Sequence, residues 1–174
     1  MSEETNPSER TSRRRIYEVY IDGSGIWLDE NGQQTEPLYG FLIVKKGYYM
    51  EPGSIENNPY PPEIVRATNF CTNNQSEYLA LKELIEWLPD HSVAKVYSDS
   101  MLVVCQIGGF VHNQPVKWEC RHPELKVLKA NIETRIQEKD LTIHLYWIPR
   151  ENNMFGVILQ RINEHAANKR RRSN

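Results

Sequence analysis

The run Cys71-Thr72-Asn73-Asn74-Gln75-Ser76-Glu77-Tyr78-Leu79-Ala80-Leu81, carried on through Leu84, Ile85 and Leu88 to Pro89, decides how this chain is built. Leu81, Leu84, Ile85 and Leu88 recur at helical spacing, Thr72 or Asn74 can cap the start, and Pro89 stops the helix. On that helix Glu77 shares a stripe with Leu81, Leu84 and Leu88, so a carboxylate is turned toward the core. Glu83 and Glu86 lie on other faces. An isolated buried charge costs several kcal/mol, so a core-facing Glu77 needs a partner or a cation. The helix dipole favours a first-turn glutamate by about 0.3–1 kcal/mol, which accounts for its place along the helix but not for its facing.

Upstream of this helix the signals are those of strands. Ile16–Ile21 is rich in β-formers and ends in the turn signal Asp22-Gly23-Ser24-Gly25. Tyr39–Val44 forms a second strand, and Lys46-Gly47 offers a hairpin into Tyr48–Met50. Residues 51–63, with Pro52, Pro59, Pro61 and Pro62, read as an extended loop, after which Ile64–Phe70 resumes a strand. Downstream, Ser92–Ser98 is a short strand, and Ser100–Ile107 is a helix ended by Gly108-Gly109. A proline-bearing loop follows. Pro123 then opens a helix with Leu125, Leu128, Ile132 and Ile136 on one stripe. Leu141–Ile148 is apolar on both faces, as in a buried parallel strand, and a last helix runs from Met154 to about Ala167.

The order βββαβααβα predicts an α/β domain. Its mixed five-stranded sheet has three antiparallel strands followed by two parallel ones, flanked by helices. Residues 1–14 read as a disordered polar and basic lead, 15–167 as the folded domain, and 168–174 as a basic tail. No internal repeat is visible.

The 174 residues suit one domain with a single core, and 39 % apolar with 25 % charged residues is the balance of a globular protein. A net charge of −2 does not by itself point to nucleic acid, although Arg13–Arg15 and the run Lys169–Arg172 concentrate positive charge at the ends. Cys71, Cys105 and Cys120 have no zinc-site spacing, so reduced thiols are expected. Met1–Pro7 has no apolar signal region, and no run of 18 apolar residues occurs. A monomeric, cytoplasmic protein without membrane association is expected.

Two further acids stand at the ends of elements. Asp22 closes the first strand, and Asp99, in Tyr97-Ser98-Asp99-Ser100, follows a strand at the end where open α/β sheets bind ligands. Each has a plain reading alone: Asp22 as half of an Asp-Gly turn, Asp99 as a helix cap beside Ser100. Three carboxylates converging with Glu77 repel one another unless a divalent cation sits between them, which points to metal-dependent phosphodiester chemistry. Neutral neighbours fit a phosphate-bearing ligand. Ser24 and Gly25 offer a hydroxyl and close backbone approach, and Thr72, Asn73 and Asn74 place donors at a helix start that attracts anions. Capping is their plain role.

The stretches Tyr20–Gly25, Cys71–Leu81, Tyr97–Val104 and Trp147–Asn153 together resemble the type 1 ribonuclease H family in order and spacing, over roughly residues 15–165. The resemblance implies hydrolysis of the RNA strand of an RNA–DNA hybrid by two Mg²⁺ or Mn²⁺ ions, one making a hydroxide and one stabilising the leaving oxygen. It places Asp22, Glu77 and Asp99 at the family's first three catalytic carboxylates, with Asp22 between the ions. Asn73 and Asn74 match asparagines that contact the hybrid, and RNA is told from DNA at its 2′-hydroxyl.

The chain departs from the family at its end. Counting from Arg150, Val157 takes the place of the fourth acid, and a register shifted by one offers Gly156; neither binds a metal. Glu151 and Glu164 are the acids within reach of a rescue. A histidine common before this helix in the family has no match, since Pro149-Arg150 stands there. The alternative is a catalytically weak or inactive module of the same fold that binds hybrid, duplex or a protein partner. Lys117-Trp118 and Arg121-His122 make a candidate cationic–aromatic patch against a duplex backbone, with loop packing as the plain reading of Trp118.

Overall fold

The computed structural model describes residues 14–26, 32, 34–48, 62–66 and 71–173. In chain order the elements are β1 (Arg15–Ser24), β2 (Leu38–Tyr48), β3 (Glu63–Arg66), α1 (Asn73–Trp87), β4 (Val93–Ser98), α2 (Met101–Ile107), β5 (Phe110–Val111), β6 (Gln114–Pro115), α3 (Pro123–Glu138), β7 (Thr142–Trp147) and α4 (Met154–Ser173), with a 3₁₀ turn at Arg150–Asn152. The strands join in one mixed sheet of order β3-β2-β1-β4-β7-β5-β6. β1 pairs antiparallel with β2 and parallel with β4, and β4 runs parallel to β7.

Period-two alternation along β1 sends Tyr17, Val19 and Ile21 into one face, where they are essentially inaccessible. They pack with Leu81, Leu84, Ile85 and Leu88 of α1, Val103 and Val104 of α2, and Leu125 and Ile132 of α3. The opposite face is covered by α4, whose Phe155 and Leu159 meet Leu38 and Leu42 of β2. Beyond α4, four rings from four neighbouring strands form a row on the sheet: Tyr20–Tyr97 at 5.1 Å, Tyr97–Tyr146 at 5.7 Å and Tyr146–Phe110 at 5.3 Å between centroids.

The α/β class and the βββαβα order are as the sequence implies, and the differences have physical causes. The sheet has seven strands among the described residues, not five. β5 and β6 form a short hairpin through His112 and Asn113, both with positive φ (49° and 60°), and Phe110 of β5 pairs with Tyr146 on the edge of β7. Lys46-Gly47 makes no turn. Both lie inside β2, paired with Tyr17 and Ile16, because β1 reaches back to Arg15 and extends its partner; the mismatch is absorbed by a bulge where Glu18 pairs Lys45 and Val19 pairs Ile43. Of the strand expected at Ile64–Phe70, β3 covers Ile64 to Arg66, and residues 49–61 and 67–70 lie outside the described residues. β7 is less enclosed than a fully buried strand, with Leu145 its one fully buried residue, since α4 lies over β1 and β2. Finally, α4 continues past Ala167 to Ser173.

Helix ends are satisfied locally. Thr72 is the cap of α1: its hydroxyl accepts from Gln75 N at 3.2 Å while Gln75 Oε1 accepts from Thr72 N at 2.9 Å. At the other end, buried Lys139 donates from Nζ to Ile85 O (2.9 Å) and Glu86 O (2.8 Å), placing a cation on the last carbonyls of α1. Charge-assisted hydrogen bonds contribute about 1.5–3 kcal/mol. Lys139→Met, which keeps the stem and removes the donors, is therefore expected to lower the thermal midpoint by roughly 4–10 °C in a melting experiment. An unchanged midpoint would show that water replaces the ammonium at no cost. All three cysteines are free and buried, and among the described residues no helix is long and apolar enough to cross a membrane.

Candidate metal centre

The end of β1 lies directly on the first turn of α1, and two glycines permit it. A Cβ at Gly23 would stand 2.6 Å from Glu77 N, and one at Gly25 would stand 2.8 Å from Asn73 Oδ1. The contact is fastened by Gly25 N donating to Asn73 Oδ1 at 2.8 Å. This approach brings Asp22 beside Glu77. Asp99 arrives on the parallel neighbour, where Tyr97 of β4 aligns with Tyr20 of β1. Ser100, not Asp99, caps α2, its Oγ accepting from Val103 N at 3.3 Å. The Asp99 carboxylate is thus left for the site. One oxygen from each of Asp22, Glu77 and Asp99 lies within 4.8 Å of the others.

The electrostatics of this trio are those of like charges crowded together and partly buried. Burial, then the charge of Asp99, pushes the Asp22 carboxyl up to about 7. Burial, then Asp22 and Asp99, holds Glu77 well above the usual carboxylate range. Glu77 Oε2 is buried and receives no hydrogen bond from a donor group, and the polar side chain pressed against Glu77 is another acid, Asp22, an arrangement folded proteins rarely keep without a function. Arg150, just ahead of α4, lowers both groups through its charge. Within the trio there is neither thiol nor imidazole, and an all-oxygen set of this kind suits a hard divalent cation such as Mg²⁺ or Mn²⁺. The residues present fit such an ion.

The rescue acids do not join. Among the described residues the cluster consists of Asp22, Glu77 and Asp99 alone; Glu151 and Glu164 are exposed, and Glu164 accepts from Gln160 Nε2 at 2.9 Å. On α4 the position that faces the trio is Gly156. It is buried, and a Cβ there would stand 3.0 Å from Asp22 Oδ2, whereas Val157 is 40 % exposed.

The neutral candidates divide. Ser24, Gly25 and Asn73 gather at the junction of β1, α1 and α4, with Ser24 Oγ accepting from Asn163 Nδ2 at 3.5 Å. Thr72 is committed to its cap, and Asn74 stands exposed on the first turn. Around Lys117 and Trp118 the chain forms a cleft of about 450 Å³ that Lys126, Lys129 and Glu133 also line. Its charge is largely internal: Glu133 pairs with Lys129 (2.7 Å) and Lys117 (3.6 Å), and Arg121 pairs with Glu119 (2.8 Å). The cationic patch read from the sequence is weaker than its residue types suggest.

Two residues at this site escape a reading of the sequence for acids. Asn153 is fully buried and donates from Nδ2 to Asp99 Oδ1 at 2.7 Å; Arg150 supplies the positive charge. The signal for Asn153 is its place as helix cap, with Oδ1 accepting from Gly156 N at 3.2 Å.

No family model matches the chain, and no curated protein does. Solved structures do. The RNase H1 of the halophilic archaeon Halobacterium salinarum NRC-1 superposes with a TM-score of 0.55 at 20 % identity, covering 79 % of this chain and 89 % of that one. LC11-RNase H1, isolated from compost by a metagenomic approach, gives 0.58 at 24 % identity over 89 % of this chain and 99 % of its own. The same protein in complex with an RNA/DNA hybrid gives 0.54 at 24 % identity, over 81 % of this chain and 89 % of its own. At identities of 20–24 % the likeness is one of architecture, and the chain takes the type 1 ribonuclease H-like fold.

Proposed function

We propose that this chain is a metal-dependent endonuclease that hydrolyses the RNA strand of RNA–DNA hybrids, with Asp22, Glu77 and Asp99 holding two Mg²⁺ or Mn²⁺ ions. The observation that carries the reading is the buried, unpartnered Oε2 of Glu77 beside two further acids. A structural carboxylate would be paired, and a pure binding surface gains nothing from three crowded like charges. The fold, and the hybrid held by LC11-RNase H1, support the choice of substrate.

A divalent ion, when bound, supplies a Lewis acid and lowers the pKa of a coordinated water. The chain's own residues do the rest. Asp22 and Glu77, pressed together by the Gly23 contact, present carboxyl oxygens side by side, with Glu77 Oε2 turned away from solvent. Asp99 completes the set from β4. The first turn of α1, with exposed Asn74 and the Asn73 amide, offers donors and a positive dipole end to a phosphate or sugar hydroxyl. Arg150 adds positive charge beside a reacting phosphate.

Labelled RNA–DNA hybrid incubated with the protein in Mg²⁺ or Mn²⁺ is expected to be cut in the RNA strand, and Asp22→Asn to lower the rate on the order of 10³-fold or more. Hybrid binding without cleavage in either metal would replace the enzyme by the binding module of the same fold, the outcome favoured by the absence of an acid at Gly156, the α4 position that faces the trio.

A further inference from the structure

We propose that Asn153 positions Asp99 for cation binding, tying the ends of β1 and β4 to the start of α4. This rests on the reading of Asp22, Glu77 and Asp99 as a divalent-cation site.

The Asn153 side chain is fully buried and uses every polar atom it has. Nδ2 donates to Ile21 O at 2.9 Å and to Asp99 Oδ1 at 2.7 Å, and Oδ1 accepts from Gly156 N at 3.2 Å. Ile21 immediately precedes Asp22. One planar amide therefore joins the backbone that carries the first acid to the carboxylate of the third. Asp99 is held from its other side as well, by Trp147 Nε1 donating to its main-chain oxygen at 3.2 Å.

The choice of side chain follows from charge. Without a tether, repulsion from Asp22 and Glu77 would swing the partly exposed Asp99 outward to water. A lysine or arginine could hold it but would neutralise the site and compete with the cation. An aspartate would set oxygen against oxygen. A neutral amide donor restrains the carboxylate and leaves the charge of the trio intact. The same turn of α4 keeps Asp22 clear, because Gly156 has no Cβ to crowd its Oδ2.

Asn153 is also the cap of α4, so the test must separate positioning from helix docking. Mn²⁺ affinity is measured by titration calorimetry for wild type, Asn153→Ala, Asn153→Ser and Ile162→Ala, at a temperature where circular dichroism shows each variant folded. Serine caps a helix about as well as asparagine but is too short to reach Asp99 and Ile21 together. Ile162→Ala loosens α4 where Ile162 packs beside Phe155 and Leu159 against Leu38 and Leu42, without touching an acid. Removing partners that orient metal ligands costs about 10- to 100-fold in affinity. Both Asn153 variants are expected to show that loss, with Ile162→Ala within about twofold of wild type. Affinity kept in Asn153→Ser, or lost equally in Ile162→Ala, would reduce Asn153 to a cap and overturn the proposal. Wild type that binds no Mn²⁺ would overturn the metal-site reading itself, and this inference with it.

Discussion

Asp22→Asn is expected to raise the melting temperature of the metal-free protein at pH 7.5 by roughly 5–12 °C, although it removes a residue of the site. In the folded chain, burial and then the Asp99 charge move this carboxyl from 3.8 to about 7. Between those values the folded state keeps a proton that the unfolded state has shed. The corresponding stability is therefore complete below pH 3.8 and is lost as pH rises through about 7. The gap between the two values corresponds to about 4 kcal/mol at neutral pH, of which about 3 kcal/mol is gained by one substitution because Glu77 and Asp99 still face each other. At about 2–4 °C per kcal/mol for a chain of this size, the shift follows. Melting curves in chelator from pH 4 to 9 are the measurement. Wild type should lose stability across the range while Asp22→Asn stays flatter, and Mn²⁺ should restore wild type alone. Parallel pH profiles would show that the crowding of the three acids carries no energetic cost.

Gly23→Ala should have a comparable effect of opposite sign on stability, and it should weaken the site as well. The added methyl would meet Glu77 N at 2.6 Å and the Ser76 backbone closer still, and backbone cannot swing aside as a lysine tip can. Either α1 lifts off β1 or the tip of β1 bends away. Lifting α1 disturbs the packing of Leu81 and Leu84 against Val19 and Ile21. Overpacking costs about 1–3 kcal/mol where side chains can adjust, so about 3 kcal/mol and a fall of roughly 6–12 °C are expected here. The same displacement separates Asp22 from Glu77, so Mn²⁺ affinity should fall by at least about tenfold. A variant with wild-type melting and affinity would mean that the close approach of β1 and α1 is not what sets the spacing of the acids.

The part of this architecture legible in the sequence is the part governed by local rules. Leu81, Leu84 and Leu88 fix the facing of α1 and with it the facing of Glu77, because helical periodicity is intrinsic to fifteen contiguous residues. Asp22-Gly23 marks the end of β1 for a similar reason, although Gly23 proves to serve contact with α1 and not a turn. Tertiary pairing decided the rest. Lys46-Gly47 has turn chemistry but lies in β2 because Tyr17 and Ile16 pair with it. β5 and β6 are two residues each, too short for any periodicity, and their turn uses His112-Asn113 where a sequence signal would be Asn-Gly. Asn153 is 132 residues from Ile21 and 54 from Asp99, so nothing local announces that its amide joins them. The fourth acid shows both limits at once. Counting along the chain points to Val157, but the helix turns Gly156 toward Asp22.

The three acids also set an order of events in time. They come from β1, α1 and β4, so the site exists only once a strand, the helix that follows the three-stranded meander and the parallel crossover have all docked. No two of the acids are neighbours in the chain, so all three meet only after these segments dock. A cation that needs all three acids would contribute its binding energy in the finished molecule and little before it. Such an ion would act as a latch: it would slow the opening of a protein that must first close without it, against the crowding of its own acids.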